Sequence, residues 1–500
     1  MINDELLFSA YKLREKLVND KHRPRYHFLP PEGRWNDMNG LIYWRGRYHI
    51  GYLQKIGNGV NKLDYSSWQH ISSRDLLHWR YHQTSISEPF EEEKGDYFNS
   101  GGVIAGADTP TIITNMPRKG ICIYQSYDDN LDNWVSHSSN PIIPIDRSHR
   151  GEKKFSSQFP ECKIFDPSGW KDGDTFYVLM GNKNTRMGYE GDCTSLLKST
   201  DLENWEYVGP FYRSDRKWTE EIEDCACSDF FPFGEKYMLL MHTHRPYGKC
   251  QYYIGAFEHE TFIPEINGQL SWLGSMLAGP ETLIDDKGRR LFWGWINDGR
   301  NWKDSGWTGV MTIPWHFYPD SKNNLKISPV QELKSLRYNE VRINDFCLVG
   351  EPGTIVEKTI NQFSSDCMEI NLCLVPKEAQ EFGFKLLCSP DDEEKTIFLY
   401  DKNSQQFTVD FGKASIDKSI LYPQGTTTQI IPFKFSASEI YFDIFVDKST
   451  IEVFVDSKIV IVQRVYPIKQ ESRQFRVFTK QGTLAIKNAL KWEMDATNPW

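Results

Sequence analysis

Three acidic positions stand out in the first half of the chain because each sits just ahead of a turn into a strand. Asp37 lies in Arg34-Trp-Asn-Asp-Met-Asn-Gly40, Asp166 in Ile164-Phe-Asp-Pro167, and Glu223 in Glu223-Asp-Cys-Ala-Cys-Ser-Asp-Phe-Phe231. Taken singly, each has an ordinary explanation. Asn, Asp and Gly dominate turns, Asp-Pro is a weak signal, and Glu223, Asp224 and Asp229 are alternatives for any role in the third string. Taken together they suit cleavage of a glycosidic bond. A retaining mechanism needs one carboxylate to attack the anomeric carbon and a second to protonate the departing oxygen, about 5–5.5 Å away. A crowd of carboxylates raises the pKa of the acid, and a third acidic group can hold sugar hydroxyls.

The elements that would bring these positions together follow from a quasi-repeat. Polar, Gly-containing turns at Gly46, Gly120, Gly173, Gly234 and Gly288 lead into YHIGYL, CIYQS, FYVLM, YMLLM and LFWGW. Their spacing of roughly 50–75 residues predicts five short-stranded units, a five-bladed β-propeller whose innermost strands surround one axis. Equivalent positions from distant blades then converge at that axis. From about residue 345 the pattern changes to short alternating strands such as FDIFVD, TIEVFVD and KIVIVQRVYP. Ile451, Val453 and Val455 alternate with Glu452, Phe454 and Asp456, which predicts a β-sandwich. The expected organisation is an N-terminal helix over 1–20 with Leu6, Ala10, Leu13 and Leu17 on one face, a propeller over 21–335 and a sandwich over 345–500, all-β apart from the helix.

Composition narrows the function classes. A net charge of −10 argues against nucleic acid or an anionic membrane surface as partner. No stretch reaches the roughly 18 apolar residues of a membrane span. The N-terminus does not read as a secretory signal, because Lys and Glu interrupt its apolar runs. A cytoplasmic protein with ten free thiols is therefore expected, with Cys225-Ala-Cys227 read as buried thiols along a strand rather than a metal site. Neither a metal nor another cofactor is implied, the expected partner is a small saccharide, and homo-oligomerisation is left open. Aromatic residues make up 14% of the chain, enough to serve both blade packing and sugar-stacking platforms.

At this level the chain resembles glycoside hydrolase family 32, the invertase and fructan-hydrolase group, over nearly its whole length after residue 22. RPRYHFLPPEGRWNDMNGLIYWRGRYHIGYLQ is similar to the family's opening segment, whose Asn-Asp-Pro-Asn-Gly string holds the nucleophile. Trp68-Gln-His70, FDPSGW, CSDFFPFGEKYMLL, GWTGVMTIPW, VQELKSLR and VDKSTIEVFVD resemble further family segments. The resemblance implies a retaining β-fructofuranosidase with Asp37 as nucleophile, Asp166 as the transition-state stabiliser and Glu223 as acid/base. Asn36, Gln54, Trp68 and Ser100 are implied as sugar-binding residues, and Glu281 stands where the family often has Gln. Three departures matter. Met38 replaces a Pro, Phe165 replaces the Arg of Arg-Asp-Pro, and the family's Glu-Cys pair is interrupted. The matching Cys is Cys227, preceded by Ala226, so a local insertion must let Glu223, or else Asp224, reach the acid position. The alternatives are a fructosyltransferase or difructose-compound hydrolase on the same scaffold, an inverting enzyme of a related five-bladed class, and a non-catalytic carbohydrate-binding propeller.

Overall fold

The computed structural model describes residues 12–498 except 13–14, 16, 32, 57–64, 84–85, 87–97, 117, 147–154, 182–191, 214–216, 221–222, 245–246 and 436. Leu6, Ala10 and Leu13 lie outside the described residues. Leu17 is buried in the main hydrophobic core.

Five antiparallel blades follow one another. Their inner strands are Gly33–Trp44, Gly101–Ala105, Pro167–Asp172, Ala226–Phe233 and Leu277–Ile284. Blade 1 continues through Arg47–Ile56 and Tyr65–Ser73 to Arg80–Tyr81, and takes in Trp307–Thr308 as a parallel partner of its inner strand. Blades 2 and 3 are joined by a short parallel pairing of Gly169 and Trp170 with Ile104 and Ala105. Blade 4 continues from its inner strand through Lys236–Thr243 and Lys249–Glu258 to Thr261–Gln269. Blade 5 runs through Arg290–Ile296, Trp315–Pro319 and Leu325–Pro329.

Four of the five anticipated turns, at Gly46, Gly173, Gly234 and Gly288, join the first strand of a blade to its second with φ between +56° and +77°. Glycine tolerates this left-handed conformation because it lacks a Cβ. The fifth differs. Gly120 sits between the second and third strands of blade 2, and the equivalent turn is at Gly106, φ +78°. Gly120 answers to a different constraint: a Cβ there would lie 2.1 Å from the Ile143 carbonyl oxygen of a strand crossing beside it.

Beyond a 3-10 turn at Gln331–Leu336, an eleven-stranded sheet system organised on the long strand Gln474–Met494 forms the C-terminal sandwich. It already includes Arg337–Arg342, ahead of the segment expected from sequence. The alternation read in Thr450–Val455 sorts its two faces. Ile451, Val453 and Val455 enter the sandwich core, whereas Phe454 enters the core shared with the propeller. Glu452 also points that way and accepts hydrogen bonds from the Ile313 amide (2.9 Å) and the Trp315 indole (2.6 Å).

That interface is anchored by a fully buried His27, whose Nδ1 is 2.9 Å from Asp447 Oδ2 and whose Nε2 is 3.0 Å from Glu452 Oε1. Asp447 also accepts the backbone amides of Arg25, Tyr26 and His27. Burial alone would lower the imidazole pKa, but the two carboxylate hydrogen bonds outweigh it and raise it from 6.5 to about 9. A raised histidine pKa means stabilisation that is complete below the unfolded value and is lost as pH climbs through the folded one. The midpoint of thermal unfolding should therefore fall between pH 6.5 and 9. His27→Gln, which strands two buried carboxylates at a cost of about 3–5 kcal/mol, should lower the midpoint at pH 6.5 and flatten that slope. An unchanged slope in the variant would exclude His27 as its origin.

Candidate active site

The inner strands enter the axis through a repeated irregularity. Register shifts interrupt the first blade between Asn36 and Met38, the fourth between Ala226 and Asp229, and the fifth between Ala278 and Glu281. Asp37, Asp166, Cys227 and Gly279 share a left-handed φ, of 24°, 27°, 48° and 50°. Non-glycine residues take this conformation only where the surroundings hold it, and such residues gather at functional sites. The bulge turns the side chain out of the strand's alternation and into the axis.

A cavity of about 470 Å³ at one mouth of the axis is lined by Asn36, Asp37, Ser100, Phe165, Asp166, Cys227, His242, His244, Trp295, Asn297 and, from the sandwich, Gln424. A second cavity of about 560 Å³ continues along the axis and shares Ser100, Asp166 and Cys227 with the first. Asp37 is held from several sides. Ser100 Oγ donates to its Oδ2 at 2.8 Å, and the Asn36 amide lies 3.4 Å from the same oxygen. Asn39 bridges blades by donating to the Asp37 carbonyl and accepting the Gly101 amide, each at 2.9 Å. Gly279 gives the carboxylate room, because a Cβ there would sit 2.7 Å from Asp37 Oδ1.

Asp166 is buried, and that burial together with the facing Asp37 carboxylate raises its pKa from 3.8 to about 7, with His244 opposing. The mouth thus holds two acidic groups that cannot both ionise cheaply at neutral pH. This is the proximity expected of a pair that works on one sugar.

The structure does not bring Glu223 to this place. Its side chain is fully buried, 2.6 Å from Lys249 Nζ, and accepts from Gln251 Nε2 at 2.5 Å. It lines neither cavity. The bulge position of blade 4 is Cys227, so the residue equivalent to Asn36 and Phe165 is Ala226, a buried side chain without a proton to give. Asp224 is closer in effect. Its Oδ2 is 2.9 Å from His244 Nδ1, while its Oδ1 accepts the His244 amide (2.9 Å) and the Thr243 hydroxyl (3.1 Å). Burial would raise its pKa, but these bonds and the adjacent imidazole hold it down at about 2.

The other expected residues divide. Asn36 and Ser100 line the mouth cavity. Gln54 is half-buried on the second strand of blade 1, opposite Trp35, and lines neither cavity. Trp68 is sealed in the hydrophobic core beneath Gly40, its indole donating to the Asn99 carbonyl at 3.0 Å, so it cannot form a sugar platform. Glu281 faces the inner axial cavity and accepts the Gly40 and Leu41 amides at 2.9 and 3.3 Å, with burial first and Asp229 second raising its pKa well above the ordinary range. Asp229 is likewise engaged by Thr282, whose amide and hydroxyl both donate to it. Cys225 is disulfide-bonded, which corrects the expectation that all ten cysteines are free thiols; eight others are free.

His242 and His244 were not anticipated. Their signal is the string Met-His-Thr-His, which on a strand places both rings on one face, beside the irregular acidic segment of the same blade.

The family model for the glycosyl hydrolases family 32 N-terminal domain matches residues 27–329, and that for the family's C-terminal domain matches 332–493. The chain belongs to glycosyl hydrolase family 32. Among its curated relatives, a sucrose-6-phosphate hydrolase of Zymomonas mobilis is 24% identical over 97% of this chain and 95% of its own. An insoluble β-fructofuranosidase isoenzyme of Arabidopsis thaliana is 25% identical over 96% of this chain and 91% of its own. Among solved structures, fructan 1-exohydrolase IIa from Cichorium intybus superposes with a TM-score of 0.80 at 20% identity, covering 95% of this chain and 98% of that one. The protein is thus a glycoside hydrolase with the five-bladed propeller and C-terminal sandwich of its family.

Gly279 offers a direct check of how tightly the family-32 site is built. Gly279→Ala should displace the Asp37 carboxylate and lower kcat about 100-fold, the cost typical of a 1 Å misplacement, while stability falls by the roughly 1–3 kcal/mol of an alanine held at φ +50° and the protein stays folded. Undiminished kcat in a folded Gly279→Ala protein would show that this contact does not set the Asp37 position.

Proposed function

We propose that this chain is a retaining β-fructofuranosidase that releases terminal fructosyl units from sucrose, its phosphate ester or short fructans. The observation that carries the reading is the pair Asp37 and Asp166 at one mouth of the propeller axis in a family-32 chain. Asp37 attacks C2 of the fructosyl unit, Ser100 and Asn36 aim its carboxylate, and the high pKa of Asp166 suits a group that donates to a sugar hydroxyl as well as accepting from one. Two sets of relatives support the substrate class, the sucrose-6-phosphate hydrolases and the plant β-fructofuranosidases. The free thiols support a cytoplasmic location, Cys225 apart. Glu281 and Gln54 are assigned no contact with the cleaved fructosyl unit, and no metal or cofactor enters the scheme.

A second reading has one observation in its favour. With Ala226 at the expected acid position and Glu223 sealed against Lys249, the propeller could bind fructosides without cleaving them. Turnover of a fructoside panel by the purified full chain separates the two. Hydrolysis of at least one fructoside, together with loss of more than about 1,000-fold in kcat in folded Asp37→Asn, is the expected result. Binding without turnover across the panel would leave the sugar-binding reading standing.

A further inference from the structure

A family-32 fold that cleaves fructosides without a glutamic acid at Ala226 needs another proton carrier, and the mouth cavity offers one. Resting on the reading above, we propose that His244, oriented by Asp224, is the general acid and base of this enzyme.

The geometry fixes the roles. Asp224 occupies the ring's Nδ1 at 2.9 Å, which leaves Nε2 as the nitrogen available to a ligand. The carboxylate is itself immobilised by the Thr243 hydroxyl, the His244 amide and the Thr243 hydroxyl's contact with the Asp224 amide. Asp224 is 2% exposed and His244 54% exposed, so the pair is rooted in protein at one end and open to the cavity at the other. His244 lines the same cavity as Asp37 and Asp166. The Phe165 ring, in the place of the family arginine, lies 6.5 Å from the imidazole. Phe165 brings no positive charge to compete with a protonated ring there.

The charges facing the ring favour its protonated form. Asp224 comes from the segment before the inner strand of blade 4, Asp166 from blade 3 and Asp37 from blade 1, and all three raise the His244 pKa above 6.5 against the effect of burial. His242, on the strand that ends one residue before His244 and with its ring centroid 4.9 Å away, is neutral, its pKa lowered to about 3 by burial and by His244. Lys163 Nζ lies 6.0 Å from the Phe165 ring centroid.

In the first step, the Asp37 carboxylate forms a bond to C2 as the C2–O bond to the leaving group breaks. The leaving oxygen takes the proton from His244 Nε2, and the electron pair of that N–H bond stays on the now neutral ring. In the second step, Nε2 removes a proton from water as the water oxygen attacks C2 and the ester to Asp37 breaks. Fructose, the carboxylate and the imidazolium are then restored. Asp224 acts as a positioning residue that holds the tautomer and stabilises the cation.

The test compares the full-length wild type with His244→Ala, Asp224→Asn, Glu223→Gln and Asp37→Asn, on sucrose and on an aryl β-fructofuranoside whose leaving group needs no proton. His244→Ala should lose about 100-fold or more in kcat on sucrose but keep the first step on the aryl fructoside. Azide, which needs no general base, should then restore turnover and yield fructosyl azide. Asp224→Asn should move the alkaline limb of kcat/KM to lower pH, because the imidazolium loses its carboxylate, and a merely structural role would not shift that limb. Glu223→Gln should leave the limb in place. The proposal is overturned if His244→Ala keeps kcat within about threefold, if only its KM changes, or if Glu223→Gln alone shows the azide rescue. Inactive Asp37→Asn beside wild-type-like His244→Ala would overturn the dyad and keep the fructosidase. Fully active Asp37→Asn, or a wild type inert on every fructoside, would overturn both.

Discussion

Two carboxylates forced into one poorly hydrated place are the constraint from which the rest of this site follows. Asp37 and Asp166 come from blades more than a hundred residues apart in sequence, yet a left-handed backbone at each delivers both to the axis. Once there, burial and mutual repulsion raise Asp166 to about 7. Every neighbour then has a definable task. Ser100 and Asn36 donate to the Asp37 carboxylate, Gly279 gives it space, and the His244 ring, held by Asp224, lines the cavity beside it.

That arrangement depends on parts of the chain far from the mouth. The N-terminal segment, the closing strands of the propeller and the sandwich meet at His27, Asp447 and Glu452, a fully buried group of charges satisfied by one another and by backbone and indole donors. Removing His27 leaves two buried carboxylates without their cation, so the interface is specified as well as stabilised. The sandwich also reaches the cavity itself, through Gln424.

Much of this was legible in the chain. The turn glycines announced five blades because a left-handed turn after an inner strand demands Gly, and the alternation of Thr450–Val455 announced a strand with two different burials. Gly120 misled for a physical reason: a close backbone approach selects glycine as strongly as a turn does. Trp68 was carried over from the resemblance of Trp68-Gln-His70 to a family segment, and the fold buries it in the core. The acid/base was the least legible position. Glu223 has the right chemistry and nearly the right place in sequence, but Lys249 and Gln251 lie on the next strand but one and claim it. The sequence already set Ala226 before the matching Cys227; the fold adds that Glu223 stays with Lys249 and that His244 lines the mouth cavity.

The central claim is a covalent fructosyl-enzyme on Asp37, and trapping that intermediate tests it most directly. Wild-type protein mixed with an aryl β-fructofuranoside, quenched in acid within one turnover and digested, should carry one fructosyl unit on the peptide containing Asp37. The same unit found on a peptide bearing Asp166 or Glu223, or β-fructoside hydrolysed with inversion and no adduct at any time, would contradict the account.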